Sequence, residues 1–361
     1  MSAPTDAGSP TGRAGIGDTI LTRTLRYTVG QIRYVRPVRP RGATGTVAQV
    51  YQQAEREFGL AAPPLALHSP VPELLAASWS ILRETLVADG QLSRAAKEGI
   101  ASAVSQSNSC PYCVVVHGAT LRGLQSQAGA AGSDPAAEER LQRWAQASGD
   151  QRAMLAMAPP FAPECAPEAI GVALTFHYLN RMVSIYLPDS PLPPMLPPAG
   201  TAQAGRFLGR FMRELSARPH PPGASLALVE SAELPDDLWW AAGSPAIAAS
   251  FAAAAAVTDR LGAEYVSGPV RELVRDCLQQ WDGADPGLDT SWLQRGLADL
   301  PTAERAAGRL ALLTAFAPYR VDEATVADYR QAHPEDRSLI ALTSWTAMSC
   351  ARRIGSWIPL S

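Results

Sequence analysis

Apolar residues recur at three- and four-residue intervals over long stretches of this 361-residue chain, and no stretch shows the strict alternation of a strand. The first periodic stretch is Thr44 to Phe58, where Val47, Val50, Tyr51, Ala54 and Phe58 share one helical face. A second helix is predicted from Glu73 to about Ala88, its apolar face carrying Leu74, Leu75, Trp79, Leu82 and Leu86. Ser93 stands where an N-cap belongs, ahead of a third helix to about Ser107 that packs through Ile100, Ala101 and Val104. The polar break Ser107-Asn108-Ser109 separates it from a helix starting near Cys110. Asn108 or Ser109 is the expected cap, with Pro111 tolerated in a first turn where its missing N–H has no partner anyway.

Ala128–Ala137 reads as a flexible connection and Glu138–Met157 as one amphipathic helix. Ala166–Tyr186 is almost wholly apolar, the pattern of a helix surrounded by core. Six prolines crowd Pro188 to Gly205, the expected boundary. Helices are predicted beyond it at Phe207–Leu215, Ala246–Leu261, Val270–Gln280, Ser291–Leu300, Ala303–Phe316, Glu323–Ala332 and Asp336–Trp357. The fold class is all-α. Residues 1–18, rich in Gly, Ser, Pro and Thr without a periodic face, read as disordered.

Composition narrows the function classes. The chain is 47% hydrophobic with a net charge of −3, and no basic face offers itself to nucleic acid. Arg33–Gly42 is basic and proline-punctuated, but no aromatic ladder accompanies its arginines, so it reads as a solvated strap. The N-terminus has no apolar signal region, and the Ala-rich run Ala246–Val257 is too short to span a bilayer. Five cysteines are too few and too odd for a disulfide scaffold. The expectation is a cytoplasmic protein, with no membrane and no nucleic-acid partner, whose thiols are kept reduced.

Against that background one cluster stands out: Cys110-Pro111-Tyr112-Cys113, His117 one turn later, and Glu98 on the preceding helix. Two cysteines three residues apart near a helix N-terminus can meet as a disulfide, and the helix dipole lowers thiol pKa there. His117 lies at i+4 from Cys113 and two turns from Cys110, so the spacing selects Cys113 as the activated thiol. Glu98 is placed to orient His117 if the two helices pack antiparallel, a nucleophile–base–orienter arrangement. A structural zinc site needs four ligands at recurring spacings, and neither a second C-x-x-C nor an H-x3-5-H exists. The chemistry therefore asks for no metal and no cofactor. Cys165, Cys277 and Cys350 read as inert and His177 as a satisfied core histidine. His220 and His333 read as surface residues, His68 as a loop residue whose approach to the site is the less favoured of its readings, and Trp239, Trp240, Trp345 and Trp357 as core.

The chain also repeats itself faintly. SPVPELLAASW, ending at Trp79, matches SPAIAASF, ending at Phe251, and Arg181 and Pro188 match Arg352 and Pro359, at offsets of 171 to 174 residues. Glu98 pairs with Glu272, but Ala284-Asp285-Pro286-Gly287 replaces the cysteine motif and Ser291 stands opposite His117. The reading is a tandem duplication: residues 19–190 carry the site, 191–205 form a Pro-rich linker, and 206–361 are a degenerate copy without thiol chemistry.

The pattern E-x11-C-x-x-C-x3-H, within about 50 residues from SPVPELLAASW to VVVHG, resembles the AhpD-like alkylhydroperoxidases of the carboxymuconolactone decarboxylase superfamily. The resemblance implies an all-helical, often oligomeric fold, with Cys113 as peroxidatic cysteine, Cys110 as resolving cysteine, and His117 with Glu98 as proton relay. It implies a hydroperoxide substrate, an external dithiol reductant or redox partner protein, and a homo-oligomer. This sequence departs from the pattern at Tyr112, where the best-studied branch carries a second histidine; tyrosine donates a hydrogen bond but is a poor base. Two other functions share the fold or the thiols: a carboxymuconolactone decarboxylase-like lyase and a redox adaptor exchanging with a partner protein.

Overall fold

Helices form where the 3.6-residue pattern predicts them, and among the described residues there is no strand, so the protein is all-α. The structure, a computed structural model, describes residues 30–126, 134–192 and 198–359. The 1–18 segment and most of the 128–137 connection lie outside the described residues. In chain order the helices are α1 (Gly45–Glu57), α2 (Pro63–Ala66), α3 (Pro72–Leu82), α4 (Arg94–Ser107) and α5 (Pro111–Gln125). Then come α6 (Pro135–Ala147), α7 (Gln151–Leu155), α8 (Ala166–Tyr186) and α9 (Pro198–Ser216). The chain continues with α10 (Pro245–Tyr265), α11 (Gly268–Gln280), α12 (Ser291–Leu297), α13 (Arg305–Phe316), α14 (Glu323–Ala332) and α15 (Asp336–Gly355).

Helix α8 lacks a polar face and is enclosed: every residue but Ser184 is buried. It packs along α15, while α3 packs along α10 and α4 lies across both α5 and α8. The 21-residue α10 is long and apolar enough to cross a membrane by length and composition alone. It lies against α3 and α15, and that packing accounts for its apolar residues.

Several elements differ from the sequence reading. Glu138–Met157 is two helices, because Asp134 caps α6 through Ala136 N and Asp150 caps α7 through Ala153 N, with Ser148-Gly149 breaking the turn between. The helix expected from Phe207 already begins at Pro198, inside the expected 191–205 linker; proline is at home in a first helical turn. Among the described residues α9 packs chiefly with the first half. It lies on α5, where Gly123 and Gly209 bring the two backbones together; a Cβ on Gly123 would sit 2.3 Å from the Gly209 carbonyl oxygen. Residues 206–216 therefore cover the cysteine-bearing helix, a choice of partner that an amphipathic pattern cannot express. His220 is buried, not exposed: its N–H bonds Asp89 at 2.7 Å and Nε2 donates to Leu215 O at 3.1 Å. Trp239, expected in the core, is half exposed, while its neighbour Trp240 is buried.

The second predicted helix ends in a wide π turn, Arg83–Val87. Two charges are buried there. Arg83 pairs with Glu57 at 2.8 Å and Glu84 at 2.9 Å, and Glu84 accepts from Gly223 N and from the Ser225 backbone and hydroxyl. A buried ion pair survives only when its remaining hydrogen bonds are filled, and here the segment after α9 fills them. The Arg33–Gly42 strap is likewise anchored, since Arg33 donates to Leu187 O at 2.7 Å and caps the end of α8.

Candidate active site

The α4–α5 corner builds the site. Asn108 closes α4 and Ser109 adopts a left-handed φ of 50°, so the chain reverses and Cys110, not Asn108 or Ser109, becomes the N-cap of α5. Pro111 follows at the first helical position, and the Cys110 N–H bonds back to Ser105 O at 3.0 Å. This fixes Cys110 at the helix entrance and Cys113 in its first turn. Both are free thiols, exposed by 1% and 3%, packed with Tyr112 and with Val183 and Leu187 of α8.

Glu98 and His117 meet as the spacing predicts. His117 Nδ1 lies 2.7 Å from Glu98 Oε2, and the other carboxylate oxygen accepts from Arg94 Nε and Nη2, each at 2.9 Å. Burial alone would raise the Glu98 carboxyl, but the Arg94 guanidinium and the His117 ring beside it hold it below the usual range. An ionised Glu98 requires the proton on Nδ1, which leaves Nε2 as the basic nitrogen. Phe176 stacks edge-on to the ring at 4.5 Å, fixing its plane. Among the described residues no hydrogen bond joins His117 to either sulfur.

The two thiols are coupled, and their pKa values move in opposite directions. The Cys110 thiol is lowered, first by the Cys113 thiol donating to it, against its burial, and further by the Cys113 N–H, Ser184 and Asn180. The Cys113 thiol is pushed well up by its bond to Cys110, by burial and by the charge on Cys110. Of the two thiols Cys110 is therefore the more acidic, and it stands at the helix N-terminus, where the backbone dipoles favour a negative charge. The more acidic thiol is thus not the one nearest His117 along the helix. Tyr112 is raised by burial and by the adjacent sulfur charge, so its hydroxyl stays protonated.

Asn180 and Ser184, both on α8, were not foreseen, although their spacing with Val183 and Leu187 marks one face of an otherwise apolar helix. Arg94 had a signal too, four residues before Glu98. His68 does not approach the site; it is buried against Tyr178. Among the described residues no three His, Cys, Asp or Glu side chains gather to hold a metal. A cavity of about 190 Å³ opens between the halves beside the α5 entrance, lined in part by Ser109, Asn108, Asn180, Arg181, Trp281 and Phe316.

Comparison with known proteins draws on the same residues. Residues 73–128 match the model of the carboxymuconolactone decarboxylase family, a span holding Glu98, Cys110, Cys113 and His117 together. Over 339 residues the chain is 38% identical to alkyl hydroperoxide reductase Rv2159c of Mycobacterium tuberculosis, covering 91% of this chain and 95% of that protein. The chain belongs to the carboxymuconolactone decarboxylase family. Its family-matched span ends at residue 128, so Asn180 and Ser184 are contributed to the site from outside it.

Proposed function

We propose that this carboxymuconolactone decarboxylase family member is a thiol-dependent peroxidase that reduces hydroperoxides through Cys110 and Cys113. The observation that carries the reading is a buried pair of free thiols at a helix entrance, with an oriented His117–Glu98 pair one turn away. The similarity to a protein named alkyl hydroperoxide reductase points the same way. Cys113, nearest His117 along α5, is the attacking sulfur. Its proton passes to Cys110, and the Cys113 thiolate takes the terminal oxygen of ROOH, giving a sulfenic acid and RO⁻. The Cys110 proton goes to RO⁻, releasing the alcohol. The restored Cys110 thiolate attacks the sulfenic sulfur; the disulfide forms, and the departing hydroxide takes a proton delivered through His117 to leave as water. An external dithiol reopens the disulfide.

Near-complete burial of both sulfurs favours a small hydroperoxide over direct exchange with a protein partner. The intact C-x-x-C favours thiol chemistry over a decarboxylase-like lyase. We also propose that residues beyond α9 include a diverged, inactive copy of the helical unit. In support, Glu272 is exposed on α11 where Glu98 is enclosed, and 284–287 is a loop instead of a cysteine-bearing helix.

The test is to mix reduced protein with hydrogen peroxide or cumene hydroperoxide and follow thiol loss in Cys110→Ser, Cys113→Ser and the unaltered chain. Sulfenate trapped on Cys113 in the Cys110→Ser protein is the expected result. Sulfenate on Cys110 in Cys113→Ser alone would reverse the assignment, and thiols indifferent to peroxide would end the peroxidase reading.

A further inference from the structure

A row of buried polar side chains leads away from the dithiol, and its hydrogen bonds can be oriented one by one. The Ser148 hydroxyl gives its proton to Ala145 O at 2.7 Å, so towards His177 it can only accept. His177 Nε2 therefore carries the hydrogen and donates to Ser148 Oγ at 2.8 Å. The ring is neutral, because burial and the nearby Arg181 hold its pKa well below the ordinary value. Its Nδ1 is then an acceptor and receives one Asn108 Nδ2 hydrogen at 3.1 Å. The second Asn108 hydrogen goes to Asn180 Oδ1 at 2.9 Å. The Asn180 amide is thereby locked with its oxygen toward Asn108 and its NH₂ on the opposite side.

One Asn180 Nδ2 hydrogen reaches Ser105 Oγ at 3.1 Å, and Ser105, whose own proton goes to Ala101 O, again only accepts. Ser105 is also the residue whose carbonyl receives the Cys110 N–H. The other amide hydrogen is left on the face that α8 turns to the sulfurs, the face where Val183 and Leu187 pack on Cys110 and Cys113. Asn180 is 1% exposed, so no bulk water competes for that hydrogen. An amide fixed in this sense stabilises a negative sulfur and has nothing to offer a neutral one.

We propose that Asn180 is a further catalytic residue of the dithiol, its amide N–H held toward the sulfurs by the chain Ser148–His177–Asn108. Asn108 and His177 are positioning residues, and Ser184, one turn along α8, assists from the same face. The inference rests on the dithiol being the reactive centre but not on the oxidant being a hydroperoxide. It assigns His177, a core histidine in the sequence reading, the task of choosing which end of an asparagine faces the site.

The test reads thiol ionisation without peroxide. Reduced full-length protein is alkylated with iodoacetamide across pH 5–10, and Cys110 and Cys113 modification is followed by peptide mass spectrometry. Asn180→Ala should raise the lower apparent thiol pKa by roughly one unit and displace the whole alkylation profile upward by the same amount. Asn108→Ala, which frees the amide to rotate, should shift it in the same direction by less. Tyr178→Phe removes a buried hydrogen bond from the same helix without touching the sulfurs and should leave the profile unchanged. A folded Asn180→Ala protein with the unaltered profile overturns the proposal. If that variant does not fold, Asn180→Ser and Ser184→Ala are titrated instead, and two unshifted profiles overturn it equally. A chain whose alkylation follows these expectations but whose thiols ignore hydroperoxides keeps the Asn180 assignment and loses only the peroxidase reading.

Discussion

Lowering the pH from 7 to 4 asks the folded chain to accept a proton at His68, and the surroundings refuse it. His68 is fully buried, its Nε2 2.9 Å from the Tyr178 hydroxyl, and Nδ1 has no aligned partner. Burial lowers its pKa from 6.5 to about 4, with the nearby Leu65 and Pro64 carbonyls opposing that only in part. The unfolded chain, by contrast, protonates His68 at its ordinary value. Between pH 6.5 and 4 the unfolded state thus binds more protons, so stability is full above 6.5 and lost as pH falls toward 4. At 1.36 kcal/mol per unit the shift amounts to about 3 kcal/mol, a large share of the 5–15 kcal/mol typical of a folded protein. The assay is urea unfolding at pH 7, 6, 5 and 4 for the unaltered chain and for His68→Gln, which cannot titrate. Carboxylates and His177 contribute equally to both proteins, so the difference isolates His68. The variant should start less stable and gain on the parent by about 3 kcal/mol by pH 4. Parallel curves would refute the reasoning.

Three further outcomes follow from named contacts. Glu98→Gln leaves His117 without a carboxylate on Nδ1, and stopped-flow thiol oxidation should slow by roughly a hundredfold, the scale of a lost acid–base partner; an unchanged rate would remove Glu98 from the relay. Gly209→Ala sets a Cβ 2.7 Å from Ala119 O and 3.0 Å from Gly123 Cα, so α9 must lift off α5 at a cost of about 1–3 kcal/mol; an unaltered melting temperature would mean the helices do not cross there. Glu272→Gln on the exposed face of α11 should leave turnover within about twofold. A hundredfold loss, about 2.7 kcal/mol of transition-state stabilisation, would mean the second half takes part in chemistry.

The helices were legible because their cause is local: apolar positions at helical spacing must be covered whatever covers them. The partners were not. Nothing in Phe207–Leu215 says that it covers the cysteine helix, because Gly209 and Gly123 lie far apart in sequence and only their meeting gives either a purpose. The same distinction runs through the site. Glu98 and His117 were found because both follow from spacing along two adjacent helices, and the structure joins them at 2.7 Å. Which thiol is the more acidic is not legible from spacing to His117. The opposing influences, the Cys113 N–H, Ser184 and Asn180, arrive from the helix entrance and from α8. His220 and Trp239 failed for a related reason: residue type predicts average burial, and Asp89 or an open face decides the particular case.

The unequal acidity of Cys110 and Cys113 has a thermodynamic reach beyond the resting state. Whatever favours the Cys110 thiolate favours the reduced dithiol, since the disulfide carries no charge for the N–H, hydroxyl and amide donors to meet. Each tenfold gain in that preference raises the reduction potential of the couple by about 30 mV. The corner that acidifies Cys110 would therefore also make a Cys110–Cys113 disulfide, the product of the proposed cycle, the better oxidant. In the proposed cycle, that shift makes the disulfide easier for an external dithiol to reopen.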